Sequence, residues 1–296
     1  MPQAVACFEK AIALDPHYAE AMAWLSDSYR LMGVFGVAPF AEVMPKAKRI
    51  AERALAMDPG LAEAWATLAS VEEQYERNFA RGDSLYERAL TVDPRHSRAR
   101  SQRALYGYAR GACSSEVALA EMRRAVQDDP LNAWVGAMNS FVLGFAGQHQ
   151  ESIAEAERSM SLDPDSFLAH WNLMCGHAWA GEYDHAIGLA PTLMSVSGRH
   201  QWALGLLAWT YGKAGRKDAT RAVYDELEAR SRHEFISPFW LATAAGAAGV
   251  SDQSIHWVER AVVERDPLVI WGRVVLFWDA VRAHPRFEDV MRDVWG

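Results

Sequence analysis

Apolar residues recur along the chain at intervals of three and four, and the runs they form end repeatedly in Asp-Pro. The clearest are FEKAIALDP (8–16), AERALAMDP (51–59), YERALTVDP (86–94), MRRAVQDDP (122–130) and AERSMSLDP (156–164), with a weaker copy, VERAVVERDP, at 258–267. This spacing places the apolar side chains on one face of an amphipathic helix. Proline ends each run, because its ring and missing N–H cannot continue a helix. Successive prolines (Pro16, Pro59, Pro94, Pro130 and Pro164) lie 43, 35, 36 and 34 residues apart. Glycines at 111, 147, 181, 215 and 249 divide the units again, so each reads as two helices joined by a turn. The aspartate before each proline is placed to cap the start of the next helix.

By register, the first helices of seven units begin near Ala19, Ala62, Ser97, Ala133, Phe167, Gln201 and Ile236. An unpaired second helix at 3–14 precedes them. It carries no polar outer face, which predicts a chain starting partway through a repeat; the other reading is an end cap. The expected organisation is therefore 1–18 as orphan helix or cap, 19–267 as repeats and 268–296 as a terminal segment. Within that last segment, Trp271, Phe277, Trp278, Phe287 and Trp295 predict a plug over the final apolar face.

Helix pairs at a period near 34 residues resemble the tetratricopeptide repeat. The best unit is AHWNLMCGHAWAGEYDHAI (169–187), where Leu173, Gly181, Tyr183 and Ala186 match, while Met174 stands where a small residue is usual. The resemblance implies an all-α fold, a right-handed superhelix (α-solenoid) of about seven helix pairs with a C-terminal helical plug. Two further stretches, GVFGVAPFAEVMPKAKRIAERALAMDP (33–59) and RAHPRFEDVMRDVWG (282–296), resemble the C-terminal repeat half of bacterial multidomain signalling proteins. In those proteins the repeats follow a class III adenylate/guanylate cyclase, a winged-helix regulator or a Ser/Thr kinase. None of those catalytic or DNA-binding signatures occurs in this sequence. What carries over is an expected sensory or partner-binding role in the bacterial cytoplasm.

In that architecture the first helix of each pair lines the concave surface. Applied here, the register gives a polar half containing Glu20, Asp27, Arg30, Glu63, Glu73 and Arg98, followed by an aromatic half. The latter comprises Trp134, Phe141, Phe145, Trp171, Trp179, Trp202, Trp209 and Phe239. A tryptophan removes about 200 Å² from water when buried, so a row left exposed forms the kind of patch that marks a binding site. Two readings stand at this point: a groove for a protein or peptide segment, with an apolar or aromatic small ligand as the alternative, or rings packed as core. The Asn and Lys/Arg positions that would clamp a terminal carboxylate are occupied by Ala23, Asp27, Ala66 and Ser70, against that partner class.

Composition narrows the remaining classes. Of 296 residues 50% are hydrophobic, which excludes wholesale disorder, and the net charge of −8 argues against nucleic acid as a partner. Three scattered cysteines make no disulfide framework. No apolar run reaches the ~18 residues of a membrane span, and the N-terminus lacks a signal-peptide core. Self-association stays open. His170, Cys175, His177 and His185 are a conceivable zinc set, but the two histidines at packing positions and the cysteine on another face argue for structural roles. Arg98, Arg100 and Arg103 pose a similar choice between an anion contact and heads paired with acids such as Glu63 or Glu73. Glu72-Glu73 reads as a solvated face. With no GxSxG, HExxH, CxxC or phosphate loop, the sequence predicts a non-catalytic module without a cofactor or metal.

Overall fold

The computed structural model describes residues 1–295, and among them the backbone is helical with no strand. Helix α1 (Pro2–Leu14) precedes seven antiparallel pairs. These are α2 (Ala19–Val34) with α3 (Phe40–Met57), α4 (Ala62–Gln74) with α5 (Phe79–Val92), and α6 (Ser97–Ala109) with α7 (Ser115–Asp128). There follow α8 (Ala133–Phe145) with α9 (His149–Leu162), α10 (Phe167–Trp179) with α11 (Tyr183–Ser197), and α12 (Gln201–Lys213) with α13 (Lys217–Arg230). The last pair is α14 (Pro238–Ala247) with α15 (Ser251–Val263). Each helix packs on its partner and on the next pair, which is the construction of an α-solenoid. Six of the seven expected first-helix starts coincide with the observed ones; the seventh begins at Pro238 rather than Ile236, since proline is favoured in the first turn.

The five turn glycines all adopt positive φ, where a side chain would be strained. The Asp-Pro aspartates do not cap the following helix. Asp15, Asp58 and Asp93 instead accept the N–H two residues on, closing a turn at 2.9, 2.8 and 3.0 Å. The caps come later: His96, Asn132, Ser166 and His200 supply the side-chain acceptors for α6, α8, α10 and α12.

Two features go beyond a stack of neighbours. First, the solenoid closes on itself. The α2–α3 loop reaches the start of α12: His200 Nε2 lies 2.8 Å from the Phe35 carbonyl, and Gln201 Nε2 donates to the Gly36 carbonyl at 3.0 Å. Gly36 has φ +63°, and a Cβ there would fall 2.3 Å from Gln201 Nε2, so the seam itself requires glycine. A second seam joins Arg77, which donates to the Val262 carbonyl at 3.0 Å, and Arg265, which donates to the Tyr75 carbonyl at 3.2 Å. The unusual 33–59 stretch thus carries the closing loop.

Second, the chain after α15 enters the space that the pairs enclose. Two short 3-10 turns (Val269–Arg273 and Leu276–Trp278) lead to α16 (Asp279–Arg282) and α17 (Phe287–Met291). Buried Asp266 fixes the entry, accepting from Ser237 Oγ, from the Phe239 N–H at 3.2 Å and from the Leu268 N–H at 2.9 Å. The exit is fixed by Arg282, which donates to the Gly272 and Val275 carbonyls, and by Trp295, whose Nε1 donates to the Ile270 carbonyl.

Candidate functional site

The aromatic half of the expected groove is core. Trp171, Trp179, Trp202, Trp209, Phe141, Phe145 and Phe239 are buried, and Trp134 is half-buried against Phe35. They pack on one another and on rings of the terminal segment. Trp271 packs on Phe141, Phe145 and Trp202 with ring centroids 5.0–6.3 Å apart, and extends as far back as Tyr106. Phe277 lies among Trp171, Trp179, Trp209 and Phe239 at 6.1–6.4 Å. Trp278 stacks on Phe239 at 4.5 Å. The segment expected to cover only the last face therefore runs along the inner wall and occupies it. Burying several such rings far outweighs a solvated wall, at ~25 cal/mol per Å² of apolar surface.

A crevice of about 20 Å³ remains between Arg30, Phe35, Tyr106, Trp134, Trp202 and Trp271. That is room for about one water, so this crevice offers no chamber for a small ligand.

The polar half divides. Asp27, Arg30 and Glu73 are buried, at 3%, 1% and 1% exposure, and do not form a surface. Asp27 sits between two guanidiniums: Arg30 donates to its Oδ1 through Nε at 2.8 Å and Nη2 at 2.6 Å, and Arg98 donates to Oδ2. Burial pushes this carboxyl up, but Arg30 and Arg98 together hold it at about 2. Glu73 has the opposite outcome. Burial pushes it up to about 8, and Arg110, donating at 2.9 Å, pulls it only partly back.

Neither member of the Glu72-Glu73 pair is solvated, since Lys48 and Arg81 hold Glu72. Because the Glu73 carboxyl binds its proton more tightly folded than unfolded, its contribution is complete below pH 4.5 and is lost as the pH rises through 8. Between pH 5 and 9 the unfolding free energy is expected to fall by about 4 kcal/mol more in the natural chain than in Glu73→Gln. Equal pH profiles for the two in chemical denaturation would contradict this.

Glu63, Arg98 and Glu20 behave differently. Glu63 and Arg98 line an open cleft of about 490 Å³ along the edge where α4, α6 and α8 begin. Trp24, Leu61, Asp93, Arg95, His96 and Asp129 also line it. Arg98 is stacked between Trp24 and Trp134, 5.5 and 5.7 Å from the ring centroids, while donating to Asp27 and lying 3.3 Å from Glu63. His96 Nδ1 accepts the Ala99 N–H, which leaves Nε2–H to face Glu63 at 3.2 Å. Glu20 is exposed one turn before Trp24 on α2. Of the twelve tryptophans, Trp24 alone is exposed, at 43%. Sequence reasoning passed over Trp24, because the register placed its neighbours Ala23 and Asp27, not Trp24, on the inner face.

The histidines and cysteine do not converge. His170 bonds the Pro164 carbonyl, Cys175 is buried with its thiol pushed up by desolvation, and His177 stacks on His185 beside Glu182. Arg100 and Arg103 line one cleft of about 390 Å³ with Arg110, where Arg100 pairs with Glu121 and Asp128, and Arg103 with Glu87. No helix among the described residues is long and apolar enough to cross a membrane.

No protein-family model matches this chain, and no curated protein does either. Solved structures do match. The human IFIT1 dimer with m7Gppp-AAAA is 19% identical with a TM-score of 0.65, covering 98% of this chain and 67% of that one. PilW, a type IV pilus biogenesis factor, is 18% identical with a TM-score of 0.56, covering 76% of this chain and 97% of that one. A tetratricopeptide repeat protein from Parabacteroides merdae is 13% identical with a TM-score of 0.55, covering 86% and 98%. At these identities the likeness is one of fold, and the fold is the tetratricopeptide solenoid.

Proposed function

We propose that this tetratricopeptide solenoid is a non-catalytic binding module that engages a protein segment at the edge cleft around Trp24, Glu63 and Arg98. The observation that carries this reading is the exposure of Trp24 beside a cleft of about 490 Å³, while the interior aromatic wall is occupied by the chain's own residues. An aromatic ring exposed at a concave site is the usual anchor of an interface. Arg98 below it is immobilised by two acids and two rings, so little ordering cost remains on binding. In this reading the module is cytoplasmic and serves bacterial signalling, beside a cyclase, kinase or winged-helix regulator whose repeat halves 33–59 and 282–296 resemble.

A random 12-residue peptide library displayed on phage and selected on the full chain tests the site. Selected peptides are expected to lose about tenfold or more in affinity on Trp24→Ala, the size of an interface anchor. Selection that yields no binder, or only binders indifferent to Trp24→Ala, overturns the reading.

A further inference from the structure

The cleft has a charge imbalance that its own residues leave standing. Asp93 accepts only the Arg95 N–H, through Oδ1. Asp129 accepts Ser97 Oγ and Asn132 Nδ2, both through Oδ2. Each keeps its second oxygen free of protein donors among the described residues. Of the two arginines that line the cleft, Arg98 is held by Asp27 and Glu63, while exposed Arg95 lies 3.6 Å from Asp128, which Arg100 also approaches. Counting Asp27, Glu63, Asp93 and Asp129 against Arg30, Arg95 and Arg98 leaves one negative charge uncompensated, and exposed Glu20 adds a second. Beside these carboxylates stands the exposed ring of Trp24, whose π-face attracts cations.

We infer that the edge cleft recognises an arginine-bearing segment of a partner protein, with guanidinium groups meeting Asp93 and Asp129 and stacking beside Trp24. Arginine fits better than lysine because its planar fork matches a carboxylate pair of bonds and lies flat on an indole. The arrangement extends one already built into the chain, where Arg98 is held between Trp134 and Trp24 by carboxylates. An acidic segment would meet the free oxygens of Asp93 and Asp129 with like charge. This inference rests on the binding-module reading and gives its partner a chemistry.

The test is fluorescence anisotropy of a labelled tetra-arginine amide with the full chain, in about 150 mM salt to suppress non-specific attraction. Asp93→Asn with Asp129→Asn preserves the turn acceptors and is expected to weaken binding about tenfold, as is Trp24→Ala alone. Asp218→Asn with Glu288→Gln makes the same change in net charge at exposed sites remote from the cleft. It is expected to leave affinity within about twofold. Tetra-lysine is expected to bind more weakly than tetra-arginine. Equal losses from the two double variants, or no loss from Trp24→Ala, would show attraction to overall charge and overturn the inference. If library peptides still depend on Trp24 while tetra-arginine does not, the partner chemistry is wrong and the binding module stands. If neither depends on it, both fall.

Discussion

Trp271→Ala is expected to lower the unfolding free energy by about 4 kcal/mol, within the range for removing a buried aromatic side chain. The size follows from its place. Trp271 is 3% exposed and meets rings from three pairs, Tyr106 on α6, Phe141 and Phe145 on α8, and Trp202 on α12. It also bounds a crevice between Arg30, Phe35 and Trp202, so its loss enlarges an existing void that rigid helix pairs cannot collapse onto. A domain's whole stability is ordinarily about 5–15 kcal/mol, which makes this a large fraction. Urea denaturation measures it. Acrylamide quenching gives an independent reading, since loss of the inserted ring opens a path to Trp202 and Trp171. A loss below about 1 kcal/mol with unchanged quenching would mean that the terminal segment does not occupy the inner wall.

The repeat architecture was legible because it is local. Asp-Pro spacing, turn glycines and helical periodicity each concern residues within one or two turns, and six of the seven observed pairs begin where that spacing places them. The closure was not legible. Whether Phe35 meets Trp202 depends on a small rotation accumulated over four intervening pairs, and no single pair encodes it. The same holds for Trp271 reaching Tyr106 across 165 residues. A tryptophan at a groove position and a tryptophan in a core look alike in sequence, because both sit on the apolar face of the same helix. What separates them is the arrival of the terminal segment.

Charged positions were misread for a related reason. Glu73 lies on α4 among residues that look like a polar face, yet Arg110, 37 positions later, comes down upon it. Periodicity reports which side of a helix a residue occupies and says nothing of what covers that side. The cleft at Trp24 was half legible: Glu63 and Arg98 were placed by register, while Trp24 itself was not. Its significance depends on exposure, and exposure depends on which neighbours the fold supplies.

Asp27→Asn should cost about 3–5 kcal/mol, the penalty for breaking a buried ion pair by removing one partner. Arg30, 1% exposed, would be left with a full charge and no counter-ion, and Arg98 would retain only Glu63 at 3.3 Å. The asparagine is close to isosteric, so the change tests charge rather than shape. The pH dependence fixes the sign independently. Asp27 is held at about 2 against 3.8 in the unfolded chain, so its contribution is present above pH 3.8 and is lost as the pH falls through 2. The natural chain should therefore lose this increment between pH 4 and 2, and the Asp27→Asn chain should not. Glu73 acts in the other direction at higher pH, which places the stability maximum contributed by these two groups between about pH 4 and 5. Because Arg98 carries the floor of the Trp24 cleft, the same substitution is also expected to loosen peptide binding there at neutral pH. Affinity preserved alongside a full loss of stability would separate the buried network from the surface it supports.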